Sequence, residues 1–517
     1  MNLPPRYINI WLASLECALL LLTARQLAQI GLTRDSDPDG YVSYVQEWRK
    51  GGELPVTHRR FPGYPAFLRA SDSLIQRGLI PSAHIVQSVV GFTALAGFAF
   101  WTGRVFSRSV RIALLGLFAA PNFFVRSIPV ILPDSLYTVL FVPFVILLFR
   151  WGLKPDSFGS KIFKYPLFAV GIVFLHLLRP STAMLLGILC ISALAAIVVC
   201  RRTGRLNPAA AAGSALGFGL VIVCCFGVQI AVNHVFDPLG AKRKLYDSFF
   251  KNKIATYTPA ASASEADRRI EDTKQEFARA GIFVEREFFK NRPGFESGDL
   301  DQVAMQRLLH HPASFLGNAV GNDMRWNYHL TIANHTPFAS YGVPIQRPYP
   351  PETDSWPSRL FRASGIETSL YSPALTSSLE YRRLWKKHRM VIVSCVALCL
   401  SVANIALVGG LLTLGIRSLW RKFPVPTVAI AFAIPLYYCF VAAVVIVDQR
   451  YLLPFSPFIY LAFAVALAQL TKQLSEKLAK WRKPIPLPEI LRPEQAESDL
   501  ELQYRPTTTA APRSIPH

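Results

Sequence analysis

Long apolar runs alternate with polar segments along most of this chain. Each run approaches the length of about 20 residues that an α-helix needs to cross a bilayer. Ten runs qualify: residues 8–29, 84–106, 110–126, 131–151, 162–178, 182–200, 211–233, 389–416, 424–447 and 451–470. The first has no small-residue cleavage site after it, so we interpret it as a retained span rather than a signal peptide. The pattern predicts an all-α polytopic membrane protein with about ten transmembrane helices.

The polar segments divide the chain into four predicted regions. These are an N-terminal transmembrane region with a polar first loop at 31–83, a loop domain, a C-terminal transmembrane region and a tail: 1–233, 234–388, 389–470 and 471–517. Within the loop domain, helical patterning is visible at roughly 265–290 and 300–330. Repeated prolines and the stretch "TTTAAP" predict that the tail is largely disordered.

The charge balance is strongly basic, with a formal net charge of +22 over 517 residues, while 51% of the residues are hydrophobic and the mean hydropathy is +0.30. Nucleic acid would be one partner for such a charge. The basic residues, however, cluster in short loops that alternating spans place on one side, and the positive-inside rule makes that side cytoplasmic. They include Arg104, Arg108, Arg111, Arg150, Lys154, Arg201, Arg202, Arg205, Arg417, Arg421 and Lys422. We therefore expect membrane lipids, and no nucleic acid, around this protein, with the loops 31–83 and 234–388 outside.

The first outer loop is predicted to contain two interfacial helices. In "DPDGYVSYVQEW" the residues Tyr41, Tyr44, Val45 and Trp48 recur at helical spacing, which predicts an aromatic stripe lying in the headgroup layer. The first helix is expected to begin at Pro38, where Asp37 is suited either to cap it or to act as a catalytic carboxylate. In "FPGYPAFL", Pro65 can open a second interfacial helix.

Three arginines stand in short loops on the predicted outer side, where basic residues are depleted. They are Arg126, Arg179 and Arg450. A guanidinium fork matches phosphate oxygens, so these arginines are candidates for binding a lipid phosphate. The alternatives are contact with lipid headgroups and pairing with Asp134 or Asp448, and Asp134 is the expected neighbour of Arg126.

Five short motifs occur in a fixed order on this topology: "DPDGY", "RFPGYP", "LPDSLYTVLF", "LLRPS" and "RYLLPFSP". In that order they resemble the integral-membrane glycosyltransferases of the GT-C type. The similar subgroup comprises protein O-mannosyltransferases and bacterial aminoarabinose or lipopolysaccharide-sugar transferases. The resemblance covers residues 1 to about 200 and 389–470.

The resemblance implies transfer of a sugar from a polyprenyl-phosphate-linked donor to a glycan, lipid or protein acceptor of the cell envelope. It implies a bacterial cytoplasmic membrane with the active site facing outward, and an acidic residue of the first outer loop as general base. Asp37 matches the family position best, and Asp39 and Asp35 lie near enough to replace it. The candidates for binding the donor phosphate are Arg126, Arg179, Arg450 and Tyr451. The candidates for the substrate loop are Arg60, Tyr64 and Asp134.

No metal cofactor is expected, although the alternating acids with His58 can supply ligands to a divalent cation. The eight cysteines lie in or beside apolar runs, which supports neither a disulfide framework nor a thiolate metal site.

A second interpretation is a multi-pass secondary transporter or lipid flippase, because such proteins keep ionisable groups inside their spans. Glu16 and His176 are the main candidates here, and Glu16 is either a proton-coupled group or a neutral core residue. A third is a scaffold that presents the loop domain. The sequence leaves the sugar, the acceptor and the oligomeric state open.

Overall fold

The computed structural model describes residues 5–29, 38–55, 60–120, 123–130, 133–153, 158–237, 241–279, 297–320, 390–444 and 453–481. Within these residues the regular structure is helical. In chain order the helices are α1 (Pro5–Gln29), α2 (Pro38–Gly51), α3 (Gly63–Ile75), α4 (Leu79–Val105), α5 (Arg108–Ala119), α6 (Phe123–Ser127), α7 (Pro133–Gly152), α8 (Phe158–Leu178), α9 (Thr182–Arg202), α10 (Pro208–Phe236), α11 (Ala241–Tyr257), α12 (Glu265–Arg279), α13 (Ser297–His310), α14 (Pro312–Phe315), a π-helical turn (Leu316–Val320), α15 (Met390–Lys422), α16 (Pro424–Val444) and α17 (Ser456–Trp481).

Seven helical segments among the described residues are long and apolar enough to cross a bilayer. They lie in α1, α4, α7, α9, α10, α16 and α17 with the turn before it. The described apolar part of α8, Pro166–Leu178, is shorter, and α15 is a helix of 33 residues. The chain is an all-α polytopic membrane protein, as predicted, and the count of about ten spans stays a prediction.

The span predicted at 110–126 does not form as one helix. α5 has 12 residues and a length of about 18 Å, well short of a hydrocarbon core of about 30 Å. It ends because Ala120 is extended, with φ −70° and ψ 138°, as expected of a residue that precedes a proline. The next described helix, α6, begins at Phe123 and has only five residues.

Helices α2 and α3 occupy the first outer loop, as predicted, and α2 begins at Pro38. The environment predicted for the aromatic stripe was wrong. Tyr44 and Val45 are fully buried, and the ring of Tyr41 meets the edge of the Tyr64 ring at a centroid distance of 5.2 Å. The stripe packs against α3 rather than against lipid headgroups, because α3 supplies an apolar partner face within the same loop.

The contact between α3 and α8 depends on a glycine. A Cβ at Gly63 would lie 2.5 Å from the carbonyl carbon of Leu177, which is closer than real Cβ contacts come. Because Gly63 has no side chain, the backbone at the start of α3 lies directly against the backbone of the last turn of α8. Small residues allow the same close approach between α15 and α17, where Gly415 lies against the carbonyl of Ala462.

The basic loops meet at one end of the helices. The guanidinium of Arg205 lies 5.1 Å from the ring of Trp420, and the ammonium of Lys422 lies 4.8 Å from the ring of Phe106. Contact between these loops agrees with their predicted position on a common side, which we expect to be the cytoplasmic one.

Glu16 of α1 belongs to the same end. Its Oε1 lies 2.9 Å from Nε of Arg108 and 2.7 Å from an Nη of Arg111. The sequence suggested a proton-coupled group or a neutral core residue at this position, and neither interpretation anticipated a partner. Two guanidinium groups instead hold this carboxylate in an ion pair between α1 and α5.

The described part of the loop domain is a small helical cluster centred on Arg307. This side chain is fully buried and donates to Oδ1 and the carbonyl of Asp267 and to the carbonyls of Ala255 and Thr258. Burial raises the pKa of Asp267, but the Ser262 amide and Arg307 lower it more, so the carboxylate stays charged. Helices were predicted where α12, α13 and the π-helical turn lie, whereas α11 was not predicted.

The chain divides into two units, residues 1–467 and residues 468–517. The described residues of the second unit belong to α17, which ends at Trp481. Residues 471–478 are exposed, and the charged groups of Lys472 and Glu476 lie 3.9 Å apart. The boundaries of the four predicted regions stay predictions.

Candidate functional site

Four of the predicted site residues lie at the ends of helices that meet. Tyr64 belongs to the first turn of α3 and Asp134 to the first turn of α7, whereas Arg179 stands in the short turn between α8 and α9. Arg60 lies just before α3. These helix ends are opposite to the ends that carry the basic loops.

Asp134 and Arg179 form a buried ion pair at the centre of this group. An Nη of Arg179 lies 2.9 Å from Oδ1 of Asp134, and the two residues are only 5% and 8% exposed, respectively. The guanidinium also lies 5.6 Å from the ring centroid of Tyr137, one helical turn beyond Asp134. For Arg179 the structure therefore bears out the alternative of pairing with Asp134, whereas a contact between Asp134 and Arg126 stays a prediction, because the side chain of Arg126 is not described. Two buried charges of opposite sign stabilise each other where either alone would be costly.

The turn that carries Arg179 is fixed by its own sequence, "LLRPST". Pro180 cannot continue α8, because it lacks an N–H and restricts the residue before it. Thr182 then closes the turn, since its hydroxyl donates to the carbonyls of Leu175 at 2.9 Å and of Arg179 at 2.6 Å. Arg179 is thus held at a defined place between two spans.

Gln87 connects the first outer loop to the spans. Its Nε2 donates to the carbonyls of Ile128 and Val130, both at 2.6 Å, and its Oε1 accepts a hydrogen bond of 3.0 Å from the hydroxyl of Tyr64. Both side chains are fully buried. Burial raises the pKa of Tyr64 well above its usual value, and Tyr41 and Asp134 act in the same direction, so the hydroxyl keeps its proton and donates.

The connection between α6 and α7, which leads to Asp134, is tied to α4 by several contacts. A ring nitrogen of His84 lies 3.0 Å from the carbonyl of Pro129, and Gly91 leaves room for the side chain of Ile128. The hydroxyl of Ser135 donates back to the carbonyl of Ser127 at 2.6 Å. These contacts fix the place at which α7 begins.

Arg60 links α2 to the same group. Its guanidinium lies 4.7 Å from the ring centroid of Tyr41, and its Nε lies 3.2 Å from where a Cβ of Gly40 would be. Asp39, one of the three predicted acids, is the residue before Gly40 and belongs to the first turn of α2. The backbone of Asp39, one candidate base, therefore runs beside Arg60. Arg60 contacts the ring of Tyr41, and that ring contacts Tyr64, whose hydroxyl donates to Gln87.

His176 lies one turn before Arg179 on α8. It is fully buried, its ring meets the edge of the Phe61 ring at 5.7 Å, and neither ring nitrogen has a hydrogen-bond partner. Phe61 belongs to the "RFPGYP" motif, so this contact seats the loop before α3 on α8.

The late motif "RYLLPFSP" also reaches this end of the helices. Phe455 packs on Phe141 of α7 at 6.3 Å and on Tyr437 of α16 at 5.9 Å, and Phe141 packs on Tyr137 at 5.3 Å. An aromatic cluster therefore joins both transmembrane regions beside the Arg179 guanidinium.

Several predicted residues are not placed. Asp35, Asp37, Arg450, Tyr451 and His58 lie outside the described residues. The backbones of Asp39 and Arg126 are described within α2 and α6, whereas their side chains are not. Their roles stay predictions.

Among the residues that the structure describes, no group of three or more metal-ligating side chains comes together. The side chains considered as ligands of a divalent cation, those of the alternating acids and His58, lie outside this set, so the expectation that no metal is bound stays untested.

Three residues of the site were not among the predicted ones: Gln87, Tyr137 and Tyr437. Gln87 carried a readable signal, because a lone glutamine within the run "HIVQSVV" must find partners inside the protein. Tyr137 carried one too, since it follows Asp134 by three positions and must share its helix face. Tyr437 lies in an apolar run of α16 and offered no comparable signal.

Together these residues form a buried, partly charged site at one end of the helices. A buried cation, its carboxylate partner and several hydroxyl groups lie beside the two helices of the first outer loop. Such a site can hold an anionic group at the membrane boundary and position a second reactant supplied from the aqueous side.

No protein-family model matches this chain, and no curated protein matches it either. Among solved structures, it is similar to the archaeal oligosaccharyltransferase AglB from Archaeoglobus fulgidus in complex with an inhibitory peptide and a dolichol-phosphate. The TM-score is 0.45 at 13% identity, over 96% of this chain and 54% of that one. A crystal structure of the Archaeoglobus fulgidus oligosaccharyltransferase tethered to an acceptor peptide gives a TM-score of 0.43 at 13% identity, over 95% and 53%. The chain spans about half the length of these structures.

Proposed function

We propose that this protein is a membrane glycosyltransferase that moves a sugar from a polyprenyl-phosphate-linked donor to an acceptor outside the cytoplasm. The membrane is the bacterial cytoplasmic membrane, and the acceptor is a glycan, a lipid or a protein. The observation that supports this most is the buried Arg179–Asp134 pair, placed directly beside the helices of the first outer loop. In this proposal the phosphate-binding cation, Arg179, and the loop that carries the candidate bases lie on one membrane face.

Arg179 supplies the electrostatic part of the reaction. Negative charge grows on the phosphate oxygen as the bond from that oxygen to the sugar carbon breaks, and a pre-positioned guanidinium stabilises this charge. Asp134 orients the guanidinium and offsets the cost of burying it before the donor binds. Arg126, Arg450 and Tyr451 are the further donor-phosphate candidates.

A carboxylate of the first outer loop supplies the proton transfer. It accepts the proton of the acceptor hydroxyl while that oxygen forms its bond to the sugar carbon, and the electron pair of the broken bond stays on the polyprenyl phosphate. Asp37 is the first candidate, with Asp39 and Asp35 as its neighbours. The burial of Tyr41 and Tyr64 against the spans anchors this loop beside Arg179.

The transporter interpretation depended on two ionisable residues inside the spans, Glu16 and His176, and the contacts of Glu16 argue against such a role for it. Glu16 is already engaged by two arginines at the opposite end of the helices, where it stabilises the packing of α1 on α5. An acid held in this way is poorly suited to a transport cycle, because two guanidinium groups already occupy its carboxylate oxygen.

A transfer assay tests the proposal directly. Membranes that contain the protein are incubated with radiolabelled polyprenyl-phosphate sugars, and label that leaves the lipid is measured. Transfer by wild-type membranes and not by membranes without the protein is expected. If the label stays on the lipid but accumulates across sealed vesicles, the transporter interpretation is correct instead.

Arg179→Lys separates the role of the guanidinium from its charge. Lysine keeps a positive charge next to Asp134 but loses the fork, so we expect weaker donor use at nearly unchanged folding. Arg205→Lys is the matched control, because that guanidinium also lies over an aromatic ring, at the opposite end of α9. Equal donor kinetics in both variants would remove Arg179 from the phosphate site.

The base is identified by amidation of each acid in turn. Asparagine caps a helix about as well as aspartate, so Asp37→Asn leaves activity intact if this residue is only a cap. As a general base, its loss lowers turnover by roughly 100-fold or more at unchanged thermal stability. Asp39→Asn and Asp35→Asn are read in the same way, and full activity in all three excludes a carboxylate base in this loop.

A further inference from the structure

Two buried tyrosine hydroxyls in the aromatic cluster next to Arg179 make no hydrogen bond of ordinary geometry. They belong to Tyr137 of α7 and Tyr437 of α16, and both residues are fully buried. The two residues come from the N-terminal and the C-terminal transmembrane regions. Neither hydroxyl is used by the ion pair or by the bonds that fix the first outer loop.

An unpartnered hydroxyl in a dry interior is unfavourable. Leaving such a group without a hydrogen bond costs about 1–3 kcal/mol, and a phenylalanine of nearly the same shape avoids that cost. Buried polar groups are therefore nearly always paired, and an exception calls for an explanation such as a ligand. Two exceptions in one aromatic cluster suggest that both hydroxyls serve one ligand.

Their surroundings indicate what that ligand is. The ring of Tyr137 lies under the Arg179 guanidinium at 5.6 Å, so its hydroxyl belongs to the neighbourhood of the proposed phosphate site. The rings of Phe141 and Phe455 connect the two tyrosines, with centroid distances of 5.3 Å, 6.3 Å and 5.9 Å along the series. Neutral hydroxyls on an apolar aromatic wall match a molecule that has hydroxyl groups and apolar C–H faces.

We infer that Tyr137 and Tyr437 form the subsite for the sugar of the donor, and that this sugar is uncharged. The inference rests on the proposed function, which supplies the phosphate held by Arg179. A sugar ring attached to that phosphate lies within its immediate surroundings, where phenolic hydroxyls can donate to and accept from its hydroxyl groups. A charged sugar would need an ionic partner at this place, and the described residues of the aromatic cluster, Tyr137, Phe141, Phe455 and Tyr437, are all uncharged.

The test compares two lipids on the full-length protein in lipid nanodiscs. Binding of a polyprenyl-phosphate hexose and of sugar-free polyprenyl phosphate is measured for the wild type, Tyr137→Phe and Tyr437→Phe. Each variant removes one hydrogen-bonding atom, so we expect the affinity for the hexose lipid to fall about 3- to 10-fold. The affinity for the sugar-free lipid is expected to stay unchanged. The unfolding temperature of Tyr437→Phe should stay the same or rise, because its hydroxyl makes no hydrogen bond within the protein, whereas Tyr137→Phe also removes a weak contact with the side chain of Thr182.

Ser192→Ala is the matched control. Its hydroxyl is likewise buried without a partner, but it lies ten residues along α9 from Thr182, about 15 Å from the site end. This variant should bind both lipids as the wild type does.

Two results would overturn the sugar subsite while the proposed function stands. One is unchanged binding of the hexose lipid in both tyrosine variants, and the other is equal weakening for both lipids, which would assign the hydroxyls to the phosphate. A wild type that binds neither lipid overturns the proposed function itself, and the inference with it.

Discussion

Replacing Gln87 by methionine tests the connection between the first outer loop and the spans. Methionine has nearly the same length but makes no hydrogen bond, so the substitution removes the three bonds of this side chain, to Tyr64, Ile128 and Val130. A hydrogen bond in a membrane bundle contributes about 0.6 kcal/mol on average and up to about 1.7 kcal/mol. The three together give a loss of roughly 2–5 kcal/mol in the free energy of unfolding.

The size of this loss can be compared with two other variants. Tyr64→Phe removes only the bond to Gln87 and should cost about 1 kcal/mol. Gln26→Met is the matched control, because the amide nitrogen of Gln26 donates to one carbonyl, that of Ala119, and its oxygen has no partner. The double variant of positions 64 and 87 should cost less than the sum of the single variants, since both remove the same bond.

The assay is reversible denaturation in mixed micelles, followed by tryptophan fluorescence. Trp48 is a useful reporter because it lies on α2, under the guanidinium of Arg69 at 4.4 Å. If Gln87→Met costs no more than Gln26→Met, Gln87 does not carry the three bonds, and the anchoring of the loop helices has another origin.

Three further predictions concern other contacts. Gly63→Ala should lower the unfolding temperature, because its Cβ would meet the backbone of α8, whereas Gly187→Ala meets nothing within 4 Å and should leave that temperature unchanged or raise it. Arg49 lowers the pKa of Asp72, so the ion pair stabilises the fold above pH 3.8, and the stability difference between wild type and Asp72→Asn should vanish as the pH falls below that value. Arg307→Met strands a buried carboxylate, and hydrogen exchange of α11 and α12 should show a loss of about 3–5 kcal/mol; unchanged protection would contradict the central role of this arginine.

The seven spans found among the described residues were predictable, because the signal of a span is long and local. An apolar run of 20 residues predicts a transmembrane span. Prolines also indicated where the loop helices begin, since α2 begins at Pro38 and Pro65 lies in the first turn of α3. α11 was missed because "AKRKLYDSFFKNKIATY" mixes charges with scattered aromatics and shows no clear apolar stripe. Pro121 indicated that α5 would end before it, but the apolar residues on both sides of the proline suggested one continuous span.

The sequence named Tyr64, Asp134 and Arg179 as candidates, and it left the partner of the arginine open between Asp134, Asp448 and a lipid headgroup. Spacing shows that Tyr41, Tyr44 and Val45 share a face, but it does not tell whether lipid or another helix covers that face. The partner of Arg179 is 45 positions away along the chain, and only the packing of α7 on α8 decides between Asp134 and another acid. Tyr437 and Tyr137 belong to one aromatic cluster although they are 300 positions apart along the chain, and no local sequence pattern predicts that they lie together.

The ion pair of Glu16 has a consequence for biosynthesis. Glu16 leaves the ribosome 95 residues before Arg111, which at a translation rate of about 5–20 residues per second corresponds to about 5–20 s. During that interval α1 enters the membrane with an acid whose two partners have not been made, and only its apolar residues hold it there. Once Arg108 and Arg111 emerge, they neutralise the acid and fasten α1 to α5. A nascent chain that stops short of Arg108 therefore carries in its first span an acid whose two cationic partners are missing.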